Sequence, residues 1–140
     1  MLKHSLEDQL ILHEGLKLKP YRCTAGKLTI GVGRNLDDKG ISHDEAMYML
    51  VNDIDDVRNA LERYEWYTKL DAVRQKVMID MAYNLGMAGL LKFRKMIAAL
   101  ELGDYQAAAD QMLDSRWARQ VKTRADRLAE MMRTGEDYVD

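Results

Sequence analysis

The sequence predicts a mainly α chain with one small β element near its start, an α+β composition dominated by helix. Three observations predict it. Apolar residues recur at three- and four-residue spacing along most of the chain, as in Met47, Leu50, Val51, Ile54, Val57 and Leu61. The composition carries one proline and is rich in Leu, Met, Ala, Arg and Glu, which suits helix. The stretch Glu14 to Arg34, EGLKLKPYRCTAGKLTIGVGR, breaks that period with alternation and turn residues. It reads as a helix end followed by a hairpin or a three-stranded patch.

Residues 3–13 form a short helix on the stripe Leu6, Leu10 and Ile11, extended by Leu2. His13-Glu14 begins like the zinc motif HExxH, but Lys17 stands where the second histidine belongs. Residues 15–36 are the hairpin, and its TIGVG glycines lack the third glycine of a dinucleotide fingerprint. They suit tight turns or a close backbone approach. Asp37-Asp38-Lys39-Gly40 is a turn. Ser42 with Glu45 three residues on is a capping box, opening a long helix to about Arg63. Asp53-Ile54-Asp55-Asp56 fails the calcium-loop spacing and keeps the helical period. Further helices are predicted from about Asp71 to Leu85, with Gly86 at the C′ position, and from Leu90 to Leu102. Asp104 caps the next, to about Asp114. Ser115-Arg116-Trp117 opens a short segment, and Thr123 caps a last helix ended by Gly135. The ten methionines fall mostly at helical-period positions and read as core filler rather than metal ligands.

The chain has 140 residues, 47% hydrophobic and 31% charged, which suits one globular domain. A single cysteine excludes an internal disulfide framework and a Cys-rich zinc site. No apolar run reaches the ~18 residues of a membrane span. MLKHSLEDQLILHEG carries charge throughout, so the expectation is a cytoplasmic product without a signal peptide. The formal net charge of −2 argues against nucleic-acid binding. Charge is uneven: Asp37 to Glu65 holds nine acids and three bases, and Arg116 to Arg133 six bases and two acids. Such runs are usually solvated helix faces; the second also suits a wall facing an anionic polymer.

The spacing of Glu14, Cys23 and Thr29, with Thr29 inside TIGVG, resembles the phage lysozymes of glycoside hydrolase family 24, T-even type. Their usual triad is Glu, Asp, Thr at the same spacings, and here Cys23 takes the middle place. YNLG at 83–86, DSRW at 114–117 and RTGEDY at 133–138 also resemble family segments, in the family order.

The resemblance implies a single lysozyme domain over residues 1–140. A hairpin lobe and linking helix would occupy about 14–60, and a helical lobe about 1–13 and 61–140. It implies an endolysin, a muramidase hydrolysing the β-1,4 bond between N-acetylmuramic acid and N-acetylglucosamine of peptidoglycan. Glu14 would be the general acid, with Cys23 and Thr29 activating or replacing the attacking water. Asn35, Tyr83, Met96 and Gln111 fall at sugar-contacting positions. Arg124 would lie against Glu14, Arg34 would pair with Asp53 in place of the family's His–Asp pair, and Asn84 would hydrogen-bond Trp117. The reaction needs no cofactor or metal. The resemblance further implies a monomer held in the host cytoplasm until lysis, with a holin giving access to the wall. Two rivals differ in chemistry. One is a lysozyme-like protein that binds wall glycan without cleaving it, since the second carboxylate is missing. The other is a cysteine hydrolase using Cys23 with His13 as base.

Overall fold

A computed structural model describes residues 3–139. Eight α-helices and one three-stranded antiparallel sheet make up those residues, so the mainly α expectation with a single small β element holds. Chain contacts gather the protein into two compact units, Met1–Met49 and Leu50–Asp140.

The first unit begins with α1 (Leu6–Glu14). Ser5 starts it by accepting the Asp8 N–H on its hydroxyl at 3.0 Å, three residues later than the stripe alone predicts. Leu2 lies outside the described residues. Gly15, at φ 80°, ends the helix and donates its N–H to the Ile11 carbonyl at 2.7 Å. Strands β1 (Lys17–Arg22), β2 (Leu28–Gly31) and β3 (Arg34–Asn35) follow, paired in that order. Tyr21 faces Thr29, and Thr29 faces Asn35. The register slips between Lys17 and Tyr21, where Pro20 removes a ladder donor and the strand bulges.

Helix α2 (His43–Leu61) opens with the expected capping box. The Glu45 N–H donates to Ser42 Oγ at 3.1 Å, and the Ser42 N–H to Glu45 Oε1 at 2.8 Å.

The second unit continues with α3 (Glu65–Thr68) and α4 (Ala72–Leu90), the latter capped by Asp71. Gly86, at φ 76° and ψ 159°, interrupts α4 where the sequence predicts its end, and one short turn carries on to Leu90. Helix α5 (Arg94–Glu101) starts later than predicted, because residues 91–93 turn instead of coiling. Asp104 caps α6 (Tyr105–Leu113) and Ser115 caps α7 (Arg116–Val121), both as predicted. Helix α8 (Thr123–Thr134) differs at its start. Thr123 is its first residue, and Lys122, at φ 51°, holds the cap position without a side-chain bond.

Every buried apolar residue among those described lies at or beyond Leu61. The core gathers Leu61, Trp66, Tyr67, Met78, Met81, Leu90, Met96, Leu100, Met112, Trp117, Leu128 and Met132, with small alanines letting α6 approach α8. Six of the ten methionines fill it (78, 81, 96, 112, 131 and 132), whereas Met47 and Met49 are exposed. Arg74 staples α4 to the end of α8. It donates to the Met132 and Arg133 carbonyls at 2.6 and 3.1 Å, pairs with Asp71 at 2.8 Å, and stacks 3.7 Å over the Tyr105 ring.

Candidate active site

The hairpin turn after β1 is built by Cys23-Thr24-Ala25-Gly26-Lys27. The Gly26 N–H donates to the Cys23 carbonyl at 2.8 Å and the Cys23 N–H to the Lys27 carbonyl at 3.0 Å. Gly26 sits at φ 78°, the left-handed position this three-residue loop requires. Such a turn faces backbone N–H groups inward. Those of Lys27 and Ala25 are the main influences that hold the Cys23 thiol below its ordinary range, against the opposing effect of burial.

Strand alternation explains why these residues share a face. Tyr21 and Cys23 are two apart on the chain, Tyr21 opposes Thr29, and Thr29 opposes Asn35. Thr29 is 3% exposed, the one buried polar residue among those described. Its hydroxyl donates to the Lys27 carbonyl at 2.9 Å, which leaves its oxygen lone pairs to accept. Asn35 is engaged locally: its amide donates to Asp38 Oδ2 at 2.9 Å and accepts the Asp38 N–H at 3.0 Å.

Glu14 ends α1 and is exposed. Its carboxyl arm lies on the turn between β2 and β3, against Gly33. A Cβ added to Gly33 would stand 2.6 Å from Glu14 Oε2.

Arg34 holds that turn from its other end, but with a partner the sequence did not predict. Its guanidinium grips Glu45 with two bonds, of 2.9 and 2.8 Å, and donates to the Gly40 carbonyl at 3.0 Å. The expected pair with Asp53 is thus replaced by one with Glu45. The turn after β3 delivers Arg34 to the first turn of α2, whereas Asp53 lies eight residues further along that helix, about 12 Å at 1.5 Å per residue. Arg34 and the Ser42 N–H together hold the Glu45 carboxyl at about 2.

The second unit carries the other candidates. Tyr83 is exposed, Met96 is fully buried, and Gln111 borders a cleft of about 530 Å³ whose walls include Met96, Phe93 and Trp117. The expected hydrogen bond between Trp117 and Asn84 is present: the indole N–H donates to Asn84 Oδ1 at 2.7 Å. Arg124 is held by Asp80, with Nε at 2.8 Å and Nη2 at 2.7 Å from Oδ1. Sequence reasoning missed Gly33, Glu45 and Asp80. A signal existed for Gly33 in the paired glycines of TIGVG, and for Glu45 in its place at the helix start; Asp80 gave none.

Residues 12–133 match the sequence model of the phage lysozymes. The chain is 27% identical to the pre-baseplate central spike protein Gp5 of Enterobacteria phage T4, covering 94% of this chain and 28% of that protein. It is 26% identical to the probable T4-type lysozyme 2 of Dictyostelium discoideum, over 94% of this chain and 95% of the relative. It is 31% identical to the SAR-endolysin of Escherichia phage Mu, over 78% of this chain and 64% of the relative. With 122 of its 140 residues inside the family match, the chain belongs to the phage lysozyme family.

Proposed function

We propose that this protein is a muramidase of the endolysin kind, cleaving the β-1,4 bond between N-acetylmuramic acid and N-acetylglucosamine in peptidoglycan. Family membership supports the substrate class. The observation that carries the chemistry is the closeness of Cys23 to buried Thr29, in a hairpin turn whose Lys27 and Ala25 N–H groups hold the thiol below its ordinary range.

In this reading Glu14 gives its proton to the glycosidic oxygen as the bond to the anomeric carbon breaks. A water held by Thr29 attacks that carbon from the opposite side. Since the Thr29 hydroxyl hydrogen goes to the Lys27 carbonyl, its lone pairs accept one hydrogen of the water. The Cys23 thiolate takes the other proton, and solvent returns it to Glu14 between turnovers. The product is inverted. A direct attack by the thiolate, with a glycosyl-cysteine intermediate hydrolysed afterwards, would give retention. We favour the water route because Thr29 lies near the sulfur and its hydroxyl, donating to Lys27, keeps its lone pairs free to accept.

Asn35, Tyr83, Met96 and Gln111 line the glycan in this proposal. Tyr83 offers an exposed ring, and buried Met96 and Gln111 line the same cleft. Arg124, for which the resemblance implies a part in orienting the acid, is anchored by Asp80. No helix among the described residues is long and apolar enough to cross a membrane. The resemblance adds to the proposal a holin as the route from host cytoplasm to wall, and a monomer as the working form.

The test is reducing-end release from purified peptidoglycan, with the product anomer read by NMR before mutarotation. Glu14→Gln is expected to lower the rate by about 10²–10⁴-fold. A Glu14→Gln protein with the wild-type rate removes Glu14 as the acid. If the wild-type protein sediments with the sacculus and releases no reducing ends, the thiol has made it a glycan-binding protein. New amino groups without reducing ends would instead mark a cysteine hydrolase.

A further inference from the structure

We propose that Gly33 is a positioning residue for the acid: its bare α-carbon sets where the Glu14 carboxyl stands. The proposal rests on the assignment of Glu14 as general acid. A Cβ built on Gly33 would lie 2.6 Å from Glu14 Oε2, 3.1 Å from Cδ and 3.3 Å from Cγ. Three successive atoms of the carboxyl arm therefore lie against the space a side chain would fill.

A second glycine in the same turn separates two reasons for being glycine. Gly31 and Gly33 have φ of 69° and 66°, a conformation L side chains rarely adopt. Around Gly31 an added Cβ would meet nothing within 4 Å. Gly31 is needed for conformation alone; Gly33 is needed for conformation and for space.

The contact at Gly33 involves the end of a flexible side chain on an exposed helix terminus, not backbone. A methyl group there displaces Glu14 and leaves the turn intact. The acid then stands off the position the turn gave it. A displacement of about 1 Å in a reacting group costs on the order of 10²-fold in rate. The backbone strain of a left-handed alanine is shared by Gly31→Ala and Gly33→Ala, so it cancels between them.

The experiment compares Gly31→Ala and Gly33→Ala for thermal stability, kcat, KM and the pH dependence of kcat on purified peptidoglycan, with Glu14→Gln alongside. Both glycine variants are expected to lose similar stability. Gly31→Ala keeps kcat within a few-fold. Gly33→Ala loses about 10²-fold in kcat with KM little changed, and the alkaline limb of its pH profile shifts. If Glu14→Gln is inactive while Gly33→Ala matches Gly31→Ala in kcat and pH profile, the positioning role is overturned and the acid assignment stands. If Glu14→Gln is fully active, the acid assignment itself has failed. Should Gly33→Ala not fold, the pair Gly31→Asn and Gly33→Asn repeats the comparison, because asparagine tolerates positive φ while carrying a Cβ. Equal kcat in that pair overturns the proposal; selective loss at Gly33 supports it.

Discussion

Cys23 is the position where a substitution series separates mechanism from structure. A free thiol has a reference pKa near 8.5, leaving only a few per cent ionised at pH 7. The N–H groups of Lys27 and Ala25 lower it here, so the ionised fraction is larger than in a free cysteine. Each unit of lowering raises that fraction about tenfold until the thiol is half ionised. As pH falls below the folded-state pKa the base is lost, and the rate should drop about tenfold per pH unit. Cys23→Ser replaces the thiolate with a hydroxyl that does not ionise, and should cost about 10²–10⁴-fold. Cys23→Asp supplies a carboxylate with a reference pKa near 3.9 in reach of the same donors. It should stay active, with its acid limb moved several units lower. Alkylation of the wild-type thiol should abolish turnover. The assay is reducing-end release at pH values from about 4 to 9, with the product anomer recorded for each variant. A Cys23→Ser protein with the wild-type rate, profile and anomer would refute the reasoning and make the thiol structural.

Two further outcomes concern stability. The Arg34–Glu45 pair should show coupling in a double-mutant cycle by urea denaturation, while Arg34→Ala and Asp53→Ala should be additive; additivity of Arg34→Ala with Glu45→Ala would mean the observed pair contributes nothing. Because the folded Glu45 carboxyl lies at about 2, below its unfolded value near 4.3, the pair's stabilisation is complete well above pH 4.3 and is lost as pH falls toward 2; a cycle repeated near pH 2 should show little coupling. Gly135→Ala should be costly, since an added Cβ would stand 2.8 Å from Arg74 Nη1 at a residue with φ of 72°. Backbone strain of about 1–2 kcal/mol and disturbance of charged hydrogen bonds worth about 1.5–3 kcal/mol suggest a loss of about 3 kcal/mol, and a loss under about 1 kcal/mol would show that the staple yields freely.

What the sequence made legible was local. Ser42 and Glu45 announced a capping box, Asp104 and Ser115 announced helix starts, and Gly86 announced a break; each is chemistry within four residues. Partners set by three-dimensional placement were not legible. Arg34 had acids at 37, 38, 44, 45, 53, 55 and 56 to choose from, and nothing in the spacing ranked Glu45 above Asp53. Asp80, 44 residues from Arg124, left no trace in a periodic reading. Thr123 misled because a good capping residue type stood one place after the position that became the cap. At the candidate site, spacing and resemblance picked Glu14, Cys23 and Thr29, but the influence of the turn amides on the thiol exists only once the hairpin loop is closed.

The two units are held together internally by different physics, and this bears on how the candidate site keeps its shape. The second unit buries a continuous apolar core, whose cost of rearrangement is set by packing. In the first unit Thr29 is the one buried residue among those described, and it is polar. What fixes that unit is short-range and directional: the Cys23–Lys27 turn, Asp37 accepting the Leu28 N–H at 2.8 Å, Asn35 closing on Asp38, and Arg34 bridging Gly40 and Glu45. Directional bonds specify the position of a few atoms without demanding volume-filling side chains. They suit a site where a sulfur, a hydroxyl and a carboxyl must each be aimed while the surface stays open to a polymer. The same economy makes the site sensitive to single turn residues. Gly33, which contributes no side chain, governs the place of Glu14 through the space it leaves empty.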